Sequence, residues 1–504
     1  MLNIESLKID LAKGLHAEIG DPCIDLFFSY MLYDNPFNSN SEIDDWIKTI
    51  NDNQPFKVNK KNISDLDLWN FNNKTGDLEH ESGRFFSIRG LNVNTNKCRI
   101  TSWDQPIIDQ QEIGMLGILA KKFDGILYFL MQAKAEPGNI NTYQISPTVQ
   151  ATRSNFQMVH KGKATNYLDY FINAKPNDII IDQLQSEQGA RFFSKRNRNM
   201  IIITNDNVQV LPGYKFMTIG QIYRLIKRDN VVNMDARSVL SNIFFTPKRV
   251  KSNHPPDLEG FFNKLESVIK VNKSKIELSK KILISSHPNS KSINTSNSII
   301  HKITDIKFDT ILKSKIIPLN RVKKWEKTSE KIYHTSGNYF EIIGLNIEAV
   351  NREVNSWDQP IIKQVDPGLI GFIYSEIDHV LHFLIQLKTE SGVMDLAELS
   401  PTVQCITSSF DGAQLPPYTK EILNAKDEEI SYDAFHSEEG GRFYKEANRN
   451  IIINLKNENI INDSGNYIWM NMYQISEFIK FNNYVNIEAR SLLSCIPVMD
   501  QVES

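Results

Sequence analysis

Short apolar runs, each closed by glycine or a polar residue, recur along the chain: FFSI at 85–88, GILYFLMQ at 125–132, MIIIT at 200–204 and IIIN at 451–454. Their length and their β-branched and aromatic content predict strands. A different period governs 219–227, where Ile219, Ile222, Tyr223 and Ile226 fall on one face of an amphipathic helix. Phe261, Leu265 and Ile269 predict a helix over 258–280, and 235–243 and 488–495 read as short closing helices. The mixture predicts an α+β fold, with curved mixed sheets flanked by a few helices.

The pattern occurs twice. SWDQPII stands at 102–108 and again at 356–362. The same spacing holds without a gap from Gly83 and Gly337 through Gly114 and Gly368 to Lys134 and Lys388. SPTVQ follows at 146–150 and 400–404. After a short deletion SEQGARF (186–192) matches SEEGGRF (437–443), Asn-Arg-Asn recurs at 197–199 and 448–450, and MDARSVLS (234–241) matches IEARSLLS (487–494). A period this long makes each copy a whole domain. The expected division is a first copy at 1–246 with a leading helical segment, a linker at 247–319 and a second copy at 320–504. The linker should hold a helix and a mobile Ser/Asn-rich loop at 285–298, and the copies should pack about a pseudo-two-fold axis.

A chain of 504 residues exceeds what one core supports, in keeping with two domains. The net charge of -3 gives no general attraction to nucleic acid or anionic membrane. KRNR at 195–198 becomes EANR in the second copy, so Asn-Arg recurs and positive charge does not. The four cysteines form no CxxC pair and read as reduced thiols. The first residues lack a secretory signal, and apolar runs stay well below the ~20 residues of a membrane span, so a cytoplasmic, soluble protein is expected. GxGxxG, GxxxxGK[ST] and HExxH are absent, so no metal or redox cofactor is expected.

Three recurring blocks are polar where a core would be apolar. In QAKAEPGN (132–139), Lys134 and Glu136 share one face of a strand ahead of a Pro-Gly turn. They are either a cleft pair or an exposed ion pair worth under ~1 kcal/mol, and the segment alone favours the second. Around SPTVQ, Ser146, Thr148, Gln150, Arg153 and Asn155 offer hydrogen bonds and a guanidinium suited to sugar hydroxyls and phosphate, or form an ordinary turn and strand. In SEQGARF, Glu187 and Arg191 are four apart: a pair along a helical turn, or a base and a diphosphate ligand. Trp103 and Trp357 either stack on a ligand ring or pack.

SWDQPII, QAKAEPGN, QISPTVQATRSNF and LQSEQGARFFSKRNRNM resemble the signature runs of NDP-hexose 2,3-dehydratases, over nearly the whole chain. The resemblance implies two tandem Nudix-like domains related by internal duplication, a homodimer, and a dTDP-sugar in each half. It also implies dehydration of dTDP-4-keto-6-deoxyglucose, a reaction that moves no hydride and needs no nicotinamide. The metal-binding box of Nudix hydrolases is missing, which argues against pyrophosphate hydrolysis. In this reading Glu136 or Glu187 is the base, Lys134 or Tyr143 stabilises the enolate or protonates the leaving hydroxyl, and Arg153, Arg191 and Arg198 grip the diphosphate. Trp103, Gln105, Ser146, Thr148, Gln150, Asn155 and Asn197 complete the substrate contacts. The second pocket would use Trp357, Lys388, Glu390, Thr402, Gln404, Glu438, Arg442 and Arg449. The second copy departs from the motif, reading KTESGV for KAEPGN, so the first pocket is expected to be the working one. The diketo product would pass to a separate NADPH-dependent 3-ketoreductase. The rival is a nucleotide-sugar-binding protein without catalysis.

Overall fold

The computed structural model describes residues 4–35, 37–152, 165–268, 272–349, 354–410, 414–455 and 465–499. Its architecture is α+β with mixed sheets, as the hydrophobic periods predict. Three helices open the chain, Ile4–Gly14, Pro22–Met31 and Asn40–Asn53. Asp21 caps the second, with Pro22 in its first turn, and Ser39 and Glu42 form a capping box on the third.

Each copy builds a seven-stranded sheet. In the first, Arg196–Ile203 runs parallel to Gly114–Phe123 while Ile126–Ala135 runs antiparallel to it. The second repeats this with Ala447–Asn454, Leu369–Ile377 and Val380–Lys388. The registers correspond: Lys134 lies opposite Gln144, and Lys388 opposite Glu398.

The two smaller sheets are shared between copies. Phe56–Lys61, which precedes the first copy's motifs, pairs with Phe340–Ala349 of the second, Phe56 opposite Ala349. Leu312–Ile317 returns the exchange by pairing with Ser87–Thr95, Leu312 opposite Thr95. Each half of the chain therefore covers a strand edge of the other, the second doing so with a strand from the stretch expected to be linker, and backbone groups that a lone half would leave open are bonded. One apolar core also runs through both large sheets, joining Phe129 and Met200 to Phe372, Phe383 and Ile452.

Helices Met234–Leu240 and Ile487–Leu493 meet between the copies. Their arginines are fully buried and reciprocal. Arg237 donates to Ser491 Oγ at 2.9 Å and to the Ser437 carbonyl, while Arg490 donates to Ser238 Oγ at 3.1 Å and to the Ser186 carbonyl. This is the contact pattern of a pseudo-two-fold axis.

The stretch 247–319 holds three helices among its described residues, where one was expected. The helix expected over 258–280 is two, Glu259–Val268 and Lys273–Ser285. The Ser/Asn-rich part is irregular only at 286–295. It starts on buried Ser286 and His287, whose ring bonds the Leu15 carbonyl at 3.1 Å. Thr295 then caps Ser296–Phe308. Among the described residues no helix is long and apolar enough to cross a membrane.

Candidate active site between the copies

The strand Ile126–Ala135 ends where Lys134 and Glu136 emerge, 3.5 Å apart. Gln150 Nε2 donates to Glu136 Oε1 at 2.8 Å, and Asn233 Nδ2 donates to Gln150 Oε1 at 3.2 Å. Asn233 also caps Met234–Leu240 through its side-chain oxygen, so a helix start fixes the amide that orients Gln150. Glu136 is 7% exposed, and its Oε2 has no hydrogen-bond partner among the described residues. The exposed ion pair that the segment alone favoured is thus a buried one, with a free carboxylate oxygen.

Glu187 shares the neighbours Asp235 and Glu439 with Glu136. Its carboxylate accepts from Asn197 Nδ2 at 2.6 Å, and its Oε2 is likewise buried and unpartnered among the described residues. Burial, and secondarily the Glu439 charge, push its carboxyl up to about 7. Asp235 is buried there too and is raised well above the carboxylate range by burial, then by Glu439, Glu187 and Glu136. Lys195 is buried on the Glu112 carbonyl, and burial lowers its ammonium.

The copies cross at this point. Gly138 N–H donates to the Gly440 carbonyl and Lys445 N–H to the Gly138 carbonyl, each at 2.7 Å. Gly392 and Gly189 repeat the arrangement at 2.6 Å. Each SE(Q/E)G loop therefore docks against the other copy's turn. Glu439 and Arg442 join Lys134 and Glu136, while Gln188 and Arg191 join Lys388 and Glu390. Arg442 donates to Gln110 Oε1 at 3.0 Å and lies over Phe86; Arg191 donates to Gln364 Oε1 at 3.3 Å and lies over Phe340. Arg191 and Arg442 thus exchange the pockets expected for them. The helical-turn pairing of Glu187 with Arg191 is not formed.

The second pocket has Lys388 3.9 Å from Glu390, Gln404 donating to Glu390 at 2.9 Å, and Asn448 donating to Glu438 at 2.6 Å. Gln188 also donates to Glu438. Where the first pocket has Lys195, this one has Glu446, whose carboxyl burial pushes up to about 8.

Other expected contacts lie elsewhere. Tyr143 pairs across the strand with Ala135, not Lys134, so it points to the opposite sheet face, where its hydroxyl donates to Gln54. Thr148 accepts from Leu119 N–H at 2.8 Å and donates to the Leu130 carbonyl; Thr402 does the same for Ile373 and Leu384. Both threonines stitch strands together. Ser146 is fully buried, bonded to the Pro147 carbonyl. Trp103 donates to Gln105, which donates to the Ala190 carbonyl at 2.9 Å; Trp357 and Gln359 hold Gly441 likewise. These residues position the arginine loops. Arg198 and Arg449 form exposed forks on Asp182 and Asp433. Strand alternation turns them away from Asn197 and Asn448. Arg153 and Asn155 lie outside the described residues.

Asp235, Lys195, Asn233, Gln110 and Glu439 escaped the sequence reading. The recurring N(M/I)(D/E)AR of the closing helices was the one available signal for Asn233 and Asp235. The loop exchange that brings in Glu439 leaves no local trace. Among the described residues no group of three or more His, Cys, Asp or Glu side chains is arranged to hold a metal ion.

The sequence profile of one family, NDP-hexose 2,3-dehydratase, matches residues 40–243 and 296–496. Three curated proteins, each a dTDP-4-dehydro-6-deoxy-alpha-D-glucopyranose 2,3-dehydratase, are 38% identical to the chain. That of Saccharopolyspora spinosa aligns over 88% of both chains. That of Amycolatopsis orientalis aligns over 90% of this chain and 88% of its own, and that of Streptomyces violaceoruber over 88% and 93%.

Proposed function

The chain belongs to the NDP-hexose 2,3-dehydratase family, and on that premise we propose that it dehydrates dTDP-4-keto-6-deoxyglucose in the pocket of Lys134, Glu136 and Glu187. It is an enzyme of deoxysugar biosynthesis, a carbon-oxygen lyase. The observation that carries the choice of pocket is the pair of buried carboxylates, Glu136 beside partly open Lys134 and Glu187 on Asn197, each with an oxygen unpartnered among the described residues.

The C4 ketone acidifies the hydrogen on C3. Glu187 takes that proton; a carboxyl held near 7 suits a general base at neutral pH, a role worth roughly 10²–10⁴-fold. Charge then develops on the ketone oxygen, where Lys134 is the donor, a contact of about 2.7–4 kcal/mol in comparable sites. Glu136 and Gln150 hold Lys134 in place. The C2 hydroxyl leaves as water. The resulting double bond bears the C3 hydroxyl, an enol that becomes the 3,4-diketone. Arg442 and Gln110 supply the cation and amide for the diphosphate.

Each copy is a Nudix-like domain in this reading, and the chain works as a cytoplasmic homodimer whose product is reduced by a separate NADPH-dependent 3-ketoreductase. The repeated mixed sheet supports the first of these statements. Incubation of the purified chain with the 4-keto sugar, a 3-ketoreductase and NADPH tests the proposal. The expected product is a nucleotide-linked 2,6-dideoxy sugar. Unchanged substrate that nevertheless binds tightly would mean a binding protein, and released nucleoside phosphate a hydrolase.

A further inference from the structure

The two pockets differ in a correlated way. Equivalent loop positions carry Gln188 and Glu439, and equivalent positions after them carry Lys195 and Glu446. Because the loop tips are exchanged, Glu439 of the second copy enters the pocket that contains Lys195 of the first, and Gln188 enters the pocket that contains Glu446. In the second pocket Gln188 donates an amide hydrogen to Glu438, a neutral contact with no proton to exchange. At the equivalent place in the first pocket stands Glu439, whose Oε1 lies with Glu136 Oε1 beside Gly441 and whose charge reaches Glu187. Two carboxyls close enough for their charges to interact favour keeping one proton between them. Glu187 keeps an oxygen unpartnered among the described residues, and Glu439 is partly exposed.

We infer that Glu439, delivered by the second copy, is the catalytic acid of the first pocket, paired with Glu187 as base, and that Lys195 is the positioning residue that holds the pair at one shared proton. The inference rests on the dehydration proposed above. The C3–H bond breaks and its proton goes to Glu187. The C2–O bond breaks and the departing oxygen takes the proton of Glu439, leaving as water. Glu187 is then protonated and Glu439 ionised, and passage of one proton between them restores the starting state. No outside acid, base or cofactor is consumed.

The groups facing Glu439 are Lys134 and Glu136 at the strand end, Glu187 and Lys195 on the opposite loop, Asp235 on the closing helix and Arg442 on its own loop. Arg490 faces Glu187 from Ile487–Leu493. Burial raises the Glu439 carboxyl above the ordinary carboxylate value.

Glu439→Gln and Glu439→Asp in the full chain test this, with turnover of the 4-keto sugar against pH, dTDP binding and thermal melting as readouts. The expected result for E439Q is a fall in kcat of about 100-fold or more with KM within about threefold, and loss of the alkaline limb of the pH profile. E439D should recover part of kcat with that limb moved. Turnover of E439Q within about threefold of the parent, or a loss of kcat with both limbs intact, overturns the inference. If E439Q fails to fold, E439D decides alone: a moved alkaline limb supports the assignment and an unmoved one overturns it. Absence of turnover in the parent chain would instead overturn the proposed dehydration itself.

Discussion

Gly138 stands so close to Phe443 that a methyl group added to it would lie 1.6 Å from the Phe443 carbonyl oxygen. That backbone contact is where one copy closes the other's pocket. The second copy has the same closure at Gly392, 2.1 Å from the Phe192 carbonyl. Gly138→Ala must push the two loops apart, carrying Glu439 and Arg442 away from Lys134. The expected cost is about 1–3 kcal/mol of stability, the usual range for overpacking, with a larger loss of kcat. Melting and steady-state kinetics check it; a variant with parental kcat would mean that the loop crossing does not shape the working pocket.

The exchanged strands make a prediction about cutting the chain. Residues 1–246 alone lack Leu312–Ile317, which covers Ser87–Thr95. Residues 247–504 alone lack Phe56–Lys61, which covers Phe340–Ala349. Each half, expressed alone, should be insoluble or unfolded, and co-expressed halves should purify together. Circular dichroism and size-exclusion chromatography give the result. A half that melts cooperatively as a monomer would contradict the shared architecture.

Much of this was legible in the sequence. The strands around GILYFLMQ and MIIIT, the Ile219–Ile226 helix and the duplication all follow from local period and self-similarity, and the structure has them. Lys134, Glu136, Gln150, Glu187 and Asn197 stand out in the sequence because they recur as polar residues in both copies. What a single segment cannot carry is which copy a loop serves. Arg191 and Arg442 therefore read as members of each other's pockets, and nothing local marks Glu439 as a neighbour of Lys134 and Glu136. Tyr143 and Arg198 failed for a different reason: the alternation of a strand turns neighbours to opposite faces, and each sits one residue off the pocket side. Thr148 and Thr402 looked like ligands because they are hydroxyls in a recurring motif, whereas their buried hydroxyls satisfy backbone groups between strands.

Buried carboxyls shift the pH optimum of stability. Glu446 is raised to about 8 and Glu398 to about 7, both chiefly by burial. An unfolded glutamate releases its proton near the ordinary value, so between there and pH 8 the folded chain holds more protons. Stability therefore falls as pH rises through that window. Glu446→Gln removes one such group, and the variant should gain on the order of 1 kcal/mol over the parent at pH 8 and nothing near pH 4. Melting curves from pH 4 to 9 test this; parallel curves for parent and variant would refute it.

The most direct test of dehydration in the first pocket is the mass of the nucleotide sugar after incubation of dTDP-4-keto-6-deoxyglucose with the parent chain and with Glu187→Gln, each quenched before breakdown. The parent should yield a species lighter by one water, and Glu187→Gln should return the substrate unchanged. A Glu187→Gln variant that forms the lighter species within about threefold of the parental rate would contradict the account.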